Sequence, residues 1–355
     1  MVPDPEILVI GLGPAGSRAA EAAATAGIRV LAVDRRKRAG FPVQCAEFVP
    51  AMLTQELDRL GQVTSQRIEA MVTFVEKLPP DLKSDFPGLM IDRAEFDAKL
   101  VARARDAGAV CRFQTEVRTI GLQGDVHLSD GASIRPRVIV GADGPRSPTG
   151  IAVGRPNTDI VETRQITVPL RQPYRATDIF LAGSIPGGYG WLFPKDNLAN
   201  LGIGVAPTAK HRLKELLEDL HEALIADERV GTQVLGYTGG AIPVGGMRNP
   251  VACKGEVPVL LVGDAAGLAN PITGAGIASA VTSGRLAGEA AARWLGGETD
   301  SLADFAEELE ELFGPALDRA LDRRSEILEL HERGAQPSPE ALRRGWIAYP
   351  EYWAA

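Results

Sequence analysis

Gly11-Leu12-Gly13-Pro14-Ala15-Gly16 stands between a short apolar run at residues 7–10 and an alanine-rich stretch that reaches about Ala26. A strand, a GxGxxG turn and a helix in that order make a phosphate-binding element. Gly11 permits the tight turn, Gly13 lets the backbone approach a pyrophosphate, Gly16 allows close helix packing, and the helix N-terminus offers free N–H groups to the anion. A second apolar run, residues 30–33, ends in Asp34, 18 residues beyond Gly16, where a carboxylate accepts hydrogen bonds from an adenosine ribose. An acid at that point disfavours a 2′-phosphate, so the pattern predicts FAD or NAD rather than NADP.

Two further Gly-Asp turns follow apolar runs. Gly141-Ala142-Asp143-Gly144 closes residues 138–140, and Gly263-Asp264-Ala265-Ala266-Gly267 closes VPVLLV, with Pro271 and Gly274-Ala275-Gly276-Ile277 opening the next helix. Asp264 is suited to accept a ribityl hydroxyl, and the amides near Gly276 to face the pyrimidine edge of a flavin. Either turn alone also fits a local Asx hydrogen bond; with GxGxxG, in this order, they predict one dinucleotide site. Tyr189, Trp191 and Phe193 alternate along a strand and share one face, three rings suited to an apolar ligand wall or to a packed core. Cys45, in VQCAEF, reads on its own as an inert, buried small hydrophobe. His127, His211, His221 and His331 are isolated and read as solvated surface, with no metal-ligand spacing among them. No GxSxG, P-loop or HExxH occurs, which removes the support for hydrolase and kinase readings.

The elements that must position these residues alternate along the chain. Residues 7–34 read as a βαβ unit, and 93–107 as a helix with Phe96, Leu100 and Val101 at helical spacing. Small β elements follow at 110–119 and 125–129, then a buried strand at 138–140. From about 151 to 250 the texture changes to strand-like pieces at 165–170, 177–182 and 198–205 around one helix near 210–226. These predict a second, substrate-side domain with an antiparallel sheet, to which 41–88 contributes. VPVLLV and the small-residue helix after Ile277 resume the first domain, residues 302–332 form a charged amphipathic helix kinked at Pro315, and residues 336–355 form an aromatic tail holding Trp346, Tyr349, Tyr352 and Trp353. The expected organisation is α/β: a discontinuous Rossmann-type domain, 1–150 and 251–335, interrupted by an α+β domain, 151–250.

Composition sets the outer bounds. At 355 residues, with 45% hydrophobic and 24% charged residues, the chain buries a large core and is not a disordered sequence. Glycine is in excess, 39 residues or about 11% against a usual ~7%, without a collagen-like period. The net charge of -8 argues against nucleic acid as main partner, leaving room for a local basic patch. Three widely spaced cysteines, Cys45, Cys111 and Cys253, form neither a disulfide framework nor a zinc cluster and fit a reducing cytoplasm. No signal-peptide pattern opens the sequence and no apolar run approaches the ~18 residues that span a bilayer, so membrane contact would be peripheral.

GLGPAG, the 93–97 segment, GADG and GDAAGLANPITGAGI resemble the flavoproteins built like para-hydroxybenzoate hydroxylase. That resemblance implies FAD held by Gly11, Gly13, Pro14, Ala15, Gly16, Asp34, Arg35, Cys45, Arg93, Val117, Asp143, Gly144, Gly263, Asp264, Pro271, Gly274, Gly276 and Ile277, with the isoalloxazine at the domain boundary. Pro186-Gly-Gly-Tyr-Gly-Trp-Leu-Phe-Pro194 is similar to the PxxYxWxFP signature of the geranylgeranyl reductases, as is Gly240-Ala-Ile-Pro-Val-Gly-Gly246. This resemblance implies an FAD-dependent reductase in which Tyr189, Trp191 and Phe193 line the substrate site, and hydride passes from the reduced flavin to a prenyl-type double bond with a proton from Cys45, Tyr189 or water. Cys45 falls where these reductases carry a cysteine close to the flavin, although Ala46-Glu47-Phe48 follows it in place of their glycine-containing sequence. With no second GxGxxG, NAD(P)H or a ferredoxin-type donor reaches the flavin transiently. Two alternatives share the cofactor motifs: an electron donor to a protein partner such as an iron–sulfur enzyme in the lipoate assembly of sulfur oxidisers, and a flavin monooxygenase. The chain is short for a polyprenyl reductase, which predicts a reduced lid and tunnel, and the aromatic tail either docks a partner or covers its own domain.

Overall fold

A computed structural model of the chain describes residues 4–53, 57, 60, 61 and 63–354. The first three residues and the last, which bound the expected 1–150 and 336–355 segments, lie outside the described residues, as do 54–56, 58, 59 and 62 of the 41–88 stretch.

Ile7–Ile10 is a strand buried at all four positions, as a continuous apolar run must be when both faces are covered. It pairs in parallel with Val30–Val33 on one side and Val138–Gly141 on the other. Val257–Leu261 extends the sheet in parallel, Val251–Lys254 caps that edge antiparallel, and Val110–Arg112 closes the opposite edge. Six strands therefore combine chain from before residue 142 with chain from after residue 250. Connections from Ile7–Ile10 and Val138–Gly141 leave toward opposite sides, and the crevice beyond the carboxyl ends of such neighbours is where open α/β sheets take ligands. Gly11 and Ala142 meet there. A Cβ at Gly11 would stand 2.2 Å from the Ala142 carbonyl oxygen, and its φ of +103° is one that glycine adopts freely.

Two helices carry their N-termini to this crevice, Pro14–Thr25 and Ile277–Leu295. They cross on glycine: a Cβ at Gly284 would lie 2.0 Å from the Ala15 carbonyl oxygen, and one at Gly288 2.4 Å from that of Ala19. The pairing of 284 with 15 and 288 with 19 makes the helices run in the same direction, so both positive ends face one side of the sheet.

A second sheet has eight strands. Ile160–Pro169, Leu198–Val205, Gly190–Lys195 and Ala176–Leu181 pair antiparallel, as expected. Ala70–Val75 joins the sheet beside Ala176–Leu181 as a parallel neighbour. Those residues come from the 41–88 stretch and enter by a long crossover rather than a hairpin, which is what a parallel neighbour requires. Strand alternation divides the sheet. Ile166, Val168, Leu192, Leu201 and Ile203 pack on the Leu213–Ala226 helix, while Met71, Ile179, Leu181, Trp191 and Phe193 form a core on the other face.

Ser301–Glu332 runs as one 32-residue helix through Pro315. The tail then folds back in two short helices, Pro339–Arg344 and Pro350–Trp353. Trp346 and Tyr352 are buried, and Arg323 Nε donates to the Tyr352 carbonyl at 3.2 Å, so the tail covers its own fold and leaves Trp353 exposed. Among the described residues no helix is long and apolar enough to cross a membrane.

Candidate active site

A cavity of about 1760 Å³ joins the crevice of the first sheet to the aromatic face of the second. Single-ligand pockets occupy roughly 300–1,000 Å³, so this volume suits a dinucleotide together with a second ligand.

At one end lie Gly11, Gly13, Pro14 and Ala15. Gly13 is the N-cap of the Pro14–Thr25 helix, no side chain caps that end, and no acid occupies its first turn. A Cβ at Gly13 would meet no atom within 4 Å and would project into open space. Gly16 does not line the cavity: its Cβ would lie 1.9 Å from the Gly11 carbonyl oxygen, so its smallness serves the strand–helix contact. Gly263 is likewise behind the wall, against Ala15 and Ala280. Asp34 is buried and its Oδ2 accepts from the Leu12 amide at 2.9 Å, while Oδ1 accepts from the Arg36 amide at 2.8 Å. Each oxygen keeps acceptor capacity toward the cavity. Arg35, Val117 and Gly144 line the same end.

The two Gly-Asp turns differ. Asp143 is spent locally: Ser147 Oγ donates to Oδ1, and Thr149 donates to Oδ2 through its amide at 2.9 Å and its hydroxyl at 2.7 Å. Burial pushes its carboxyl above the ordinary range against those bonds. This is the local Asx-type arrangement. Asp264 lines the cavity, and no side-chain donor or backbone amide among the described residues hydrogen-bonds its carboxylate. Burial pushes its pKa up to about 6, with Arg93 pulling the other way. Asn157 Nδ2 bridges the turns, donating to the carbonyls of Pro145 at 3.0 Å and Asp264 at 2.8 Å. Pro271, Gly274, Gly276 and Ile277 continue the wall to the Ile277–Leu295 helix, whose N-terminus has no side-chain cap.

Cys45 and Arg93 line the middle. Arg93 Nε donates to Asp97 Oδ1 at 2.7 Å. Burial opposes the guanidinium charge, yet Asp97 and then the neighbouring Cys45 outweigh it, so the Arg93 pKa is raised. The Glu47 amide also donates to Cys45 Sγ, at 3.2 Å. Gln165 ties this segment to the rings: Nε2 donates to the Cys45 carbonyl at 3.3 Å, and Oε1 accepts from Trp191 Nε1 at 3.1 Å.

Tyr189, Trp191 and Phe193 form the far wall with ring centroids 5.8 and 6.4 Å apart in sequence. The Trp191 ring lies across Gly202, where a Cβ would come within 2.2 Å of it. Tyr189 does not hold a free proton: its hydroxyl donates to the Thr273 carbonyl at 2.6 Å, and burial pushes its pKa up. Trp191 likewise spends its N–H on Gln165, so both act as walls. Trp346, whose ring stands 4.8 Å from that of Tyr189, lines the cavity too. Glu47, Gln165 and Trp346 line the cavity and Lys195 pairs with Glu47, and sequence reasoning singled out none of the four for the site. The signal available was the lysine two residues past Phe193, on the same strand face.

His127 and His211 are exposed as expected. His221 and His331 are half-buried, His221 Nε2 lying 3.0 Å from the Gly231 carbonyl, which corrects the solvated reading for these two. Among the described residues no group of three or more His, Cys, Asp or Glu is arranged to hold a metal.

A family model described as the geranylgeranyl reductase catalytic domain matches residues 161–242, and a lycopene cyclase model matches 6–164. Digeranylgeranylglycerophospholipid reductase of Methanocella arvoryzae is 32% identical over 338 residues, 88% of this chain and 85% of that protein. The chain belongs to the geranylgeranyl reductase family. Digeranylgeranylglycerophospholipid reductase 1 of Methanopyrus kandleri is 33% identical, covering 84% of this chain and 83% of its own. A geranylgeranyl bacteriochlorophyll reductase-like structure from Thermoplasma acidophilum superposes with a TM-score of 0.84 at 24% identity, over 96% of this chain and 90% of that one. A probable FAD-dependent monooxygenase from Pseudomonas aeruginosa, with a TM-score of 0.68 at 17% identity over 93% and 98%, shares the fold. As a geranylgeranyl reductase family member the protein is an FAD-dependent oxidoreductase, and its cavity fits that cofactor: an open cradle at Gly13, two uncapped helix N-termini and the unpartnered Asp264 carboxylate. The tail's Trp346 lines the aromatic end of this cavity.

Proposed function

We propose that the protein reduces double bonds of a prenyl lipid, with electrons from NAD(P)H or a ferredoxin-type donor. The observation that carries this reading is the continuity of one cavity from the Gly13 helix terminus to the wall of Tyr189, Trp191, Phe193 and Trp346. The names of the archaeal relatives support the substrate class. An apolar cavity wall favours a lipid acceptor over a protein acceptor, which would need an exposed docking face.

Bound FAD supplies the hydride chemistry. The chain's own residues orient it and the acceptor. The Pro14–Thr25 helix terminus binds the pyrophosphate, Asp34 the ribose and Asp264 a ribityl hydroxyl, within a domain made of residues 1–150 and 251–335. The aromatic wall excludes water and holds the prenyl chain. Cys45 donates the proton at Sγ; the Glu47 amide that already donates to the sulfur, and the neighbouring positive charge of Arg93, favour the sulfur left behind. Tyr189 keeps its proton on the Thr273 carbonyl. A reducing, cytoplasmic setting accords with three free cysteines.

Incubating flavin-loaded protein anaerobically with dithionite and digeranylgeranylglycerophospholipid, then counting lipid double bonds by mass spectrometry, tests the reading. Saturation of prenyl bonds is expected, slowed by Trp191→Ala. Unaltered lipid under a fully reduced flavin would contradict it.

A further inference from the structure

Glu47 is a buried carboxylate on a residue with φ +68°, a left-handed conformation that costs a non-glycine residue about 1–2 kcal/mol. A carboxylate at 7% exposure must also be paired, because burying an unpaired charge costs several kcal/mol. Here every oxygen is engaged. Lys195 Nζ lies 2.8 Å from Oε1 and 2.9 Å from Oε2, the Arg93 amide donates to Oε1 at 3.0 Å, and Asn200 Nδ2 donates to Oε2 at 3.1 Å. Asn200 Nδ2 also reaches the Ala46 carbonyl at 3.2 Å, and its Oδ1 accepts from Thr167.

These partners belong to different parts of the molecule. Lys195 is on the same strand face as Trp191 and Phe193, Asn200 is on the adjoining strand opposite Phe193, and Arg93 opens the Arg93–Asp106 helix. Glu47 therefore holds both sides of the Cys45 sulfur's surroundings: its own amide donates to that sulfur, and its carboxylate grips the backbone of Arg93, the neighbouring cation.

We propose that Glu47 is a positioning residue for Cys45, its ion pair with Lys195 buckling the cysteine turn to the aromatic strand so that the thiol stays at the cavity wall. The consequence for turnover rests on the proposed prenyl reduction; the placement of the thiol does not.

The test uses flavin-loaded Glu47→Gln, Lys195→Met and Glu47→Gly, the last keeping the left-handed backbone while removing the carboxylate. The first readout is iodoacetamide alkylation of each cysteine, followed by peptide mass, with half-buried Cys111 reporting general loosening and exposed Cys253 as reference. Cys45 should alkylate at least about threefold faster in every variant that retains flavin, with Cys111 and Cys253 unchanged. The second readout is a double-mutant cycle on anaerobic turnover: Glu47→Gln slows the wild type about tenfold or more but leaves Cys45→Ala no slower. Equal acceleration of Cys45 and Cys111, an unchanged Cys45 rate, or losses from Glu47→Gln and Cys45→Ala that multiply would each overturn the proposal. If Cys45 alone accelerates while no variant and no wild type reduces prenyl lipid, the prenyl reading fails and the Glu47 buckle stands.

Discussion

Single residues divide the cavity into an end of glycines and open helix N-termini and an end of apolar rings, and their geometry makes the role proposed for each measurable. At Gly13 a Cβ meets nothing in the protein, so Gly13→Val leaves the fold intact and invades only the space of the pyrophosphate. FAD affinity should fall by about 100-fold or more; a yellow, stoichiometrically loaded variant would refute the cradle. Cys45→Ala should keep FAD and its rate of flavin reduction but slow acceptor reduction by about 100-fold or more, the usual contribution of a positioned proton donor. Unchanged turnover would leave Cys45 a packing residue. Asp264 carries a pH signature. Its free carboxyl titrates near pH 6 and must be ionised to accept a ribityl hydroxyl fully, so FAD affinity should be flat above that value and decline as pH falls through it. Asp264→Asn should bind more weakly and lose the dependence, as fluorescence titration across that range would show.

At the scale of elements, the site exists because glycines let helices, strands and rings approach. Gly284 and Gly288 bring the Ile277–Leu295 helix onto Pro14–Thr25, and Gly202 lets Trp191 lie flat on its neighbouring strand. Gly202→Ala should push that ring into the cavity, costing about 1–3 kcal/mol in a denaturant midpoint and slowing lipid reduction more than flavin reduction. Unaltered stability would mean the ring tilts aside freely. The glycine excess was readable in the sequence and so were the βαβ unit, the Arg93–Asp106 helix and the aromatic strand, because each rests on local periodicity. The parallel entry of Ala70–Val75 was not, since it depends on a crossover that no local pattern encodes. Asp143 and Asp264 look alike in sequence; what separates them is whether Ser147 and Thr149 stand near enough to consume the carboxylate.

The whole molecule joins two sheets around one ligand space, and its tail completes the wall. Trp346 closes the cavity from a segment distant in sequence, and Glu47 meets Lys195 across 148 positions. Long-range partners of this kind leave no spacing to read, which is why the cofactor end was legible and the Glu47–Lys195 buckle was not. The family, the fold and the cofactor converge on an oxidoreductase, and the proposed function places its acceptor at the apolar end of the cavity. Anaerobic stopped-flow reoxidation of the reduced, bound flavin tests that most directly. Rapid reoxidation on mixing with digeranylgeranylglycerophospholipid vesicles, at a rate that rises with lipid concentration, is the predicted result. Reoxidation by an iron–sulfur protein alone, with the lipid inert, would contradict the account.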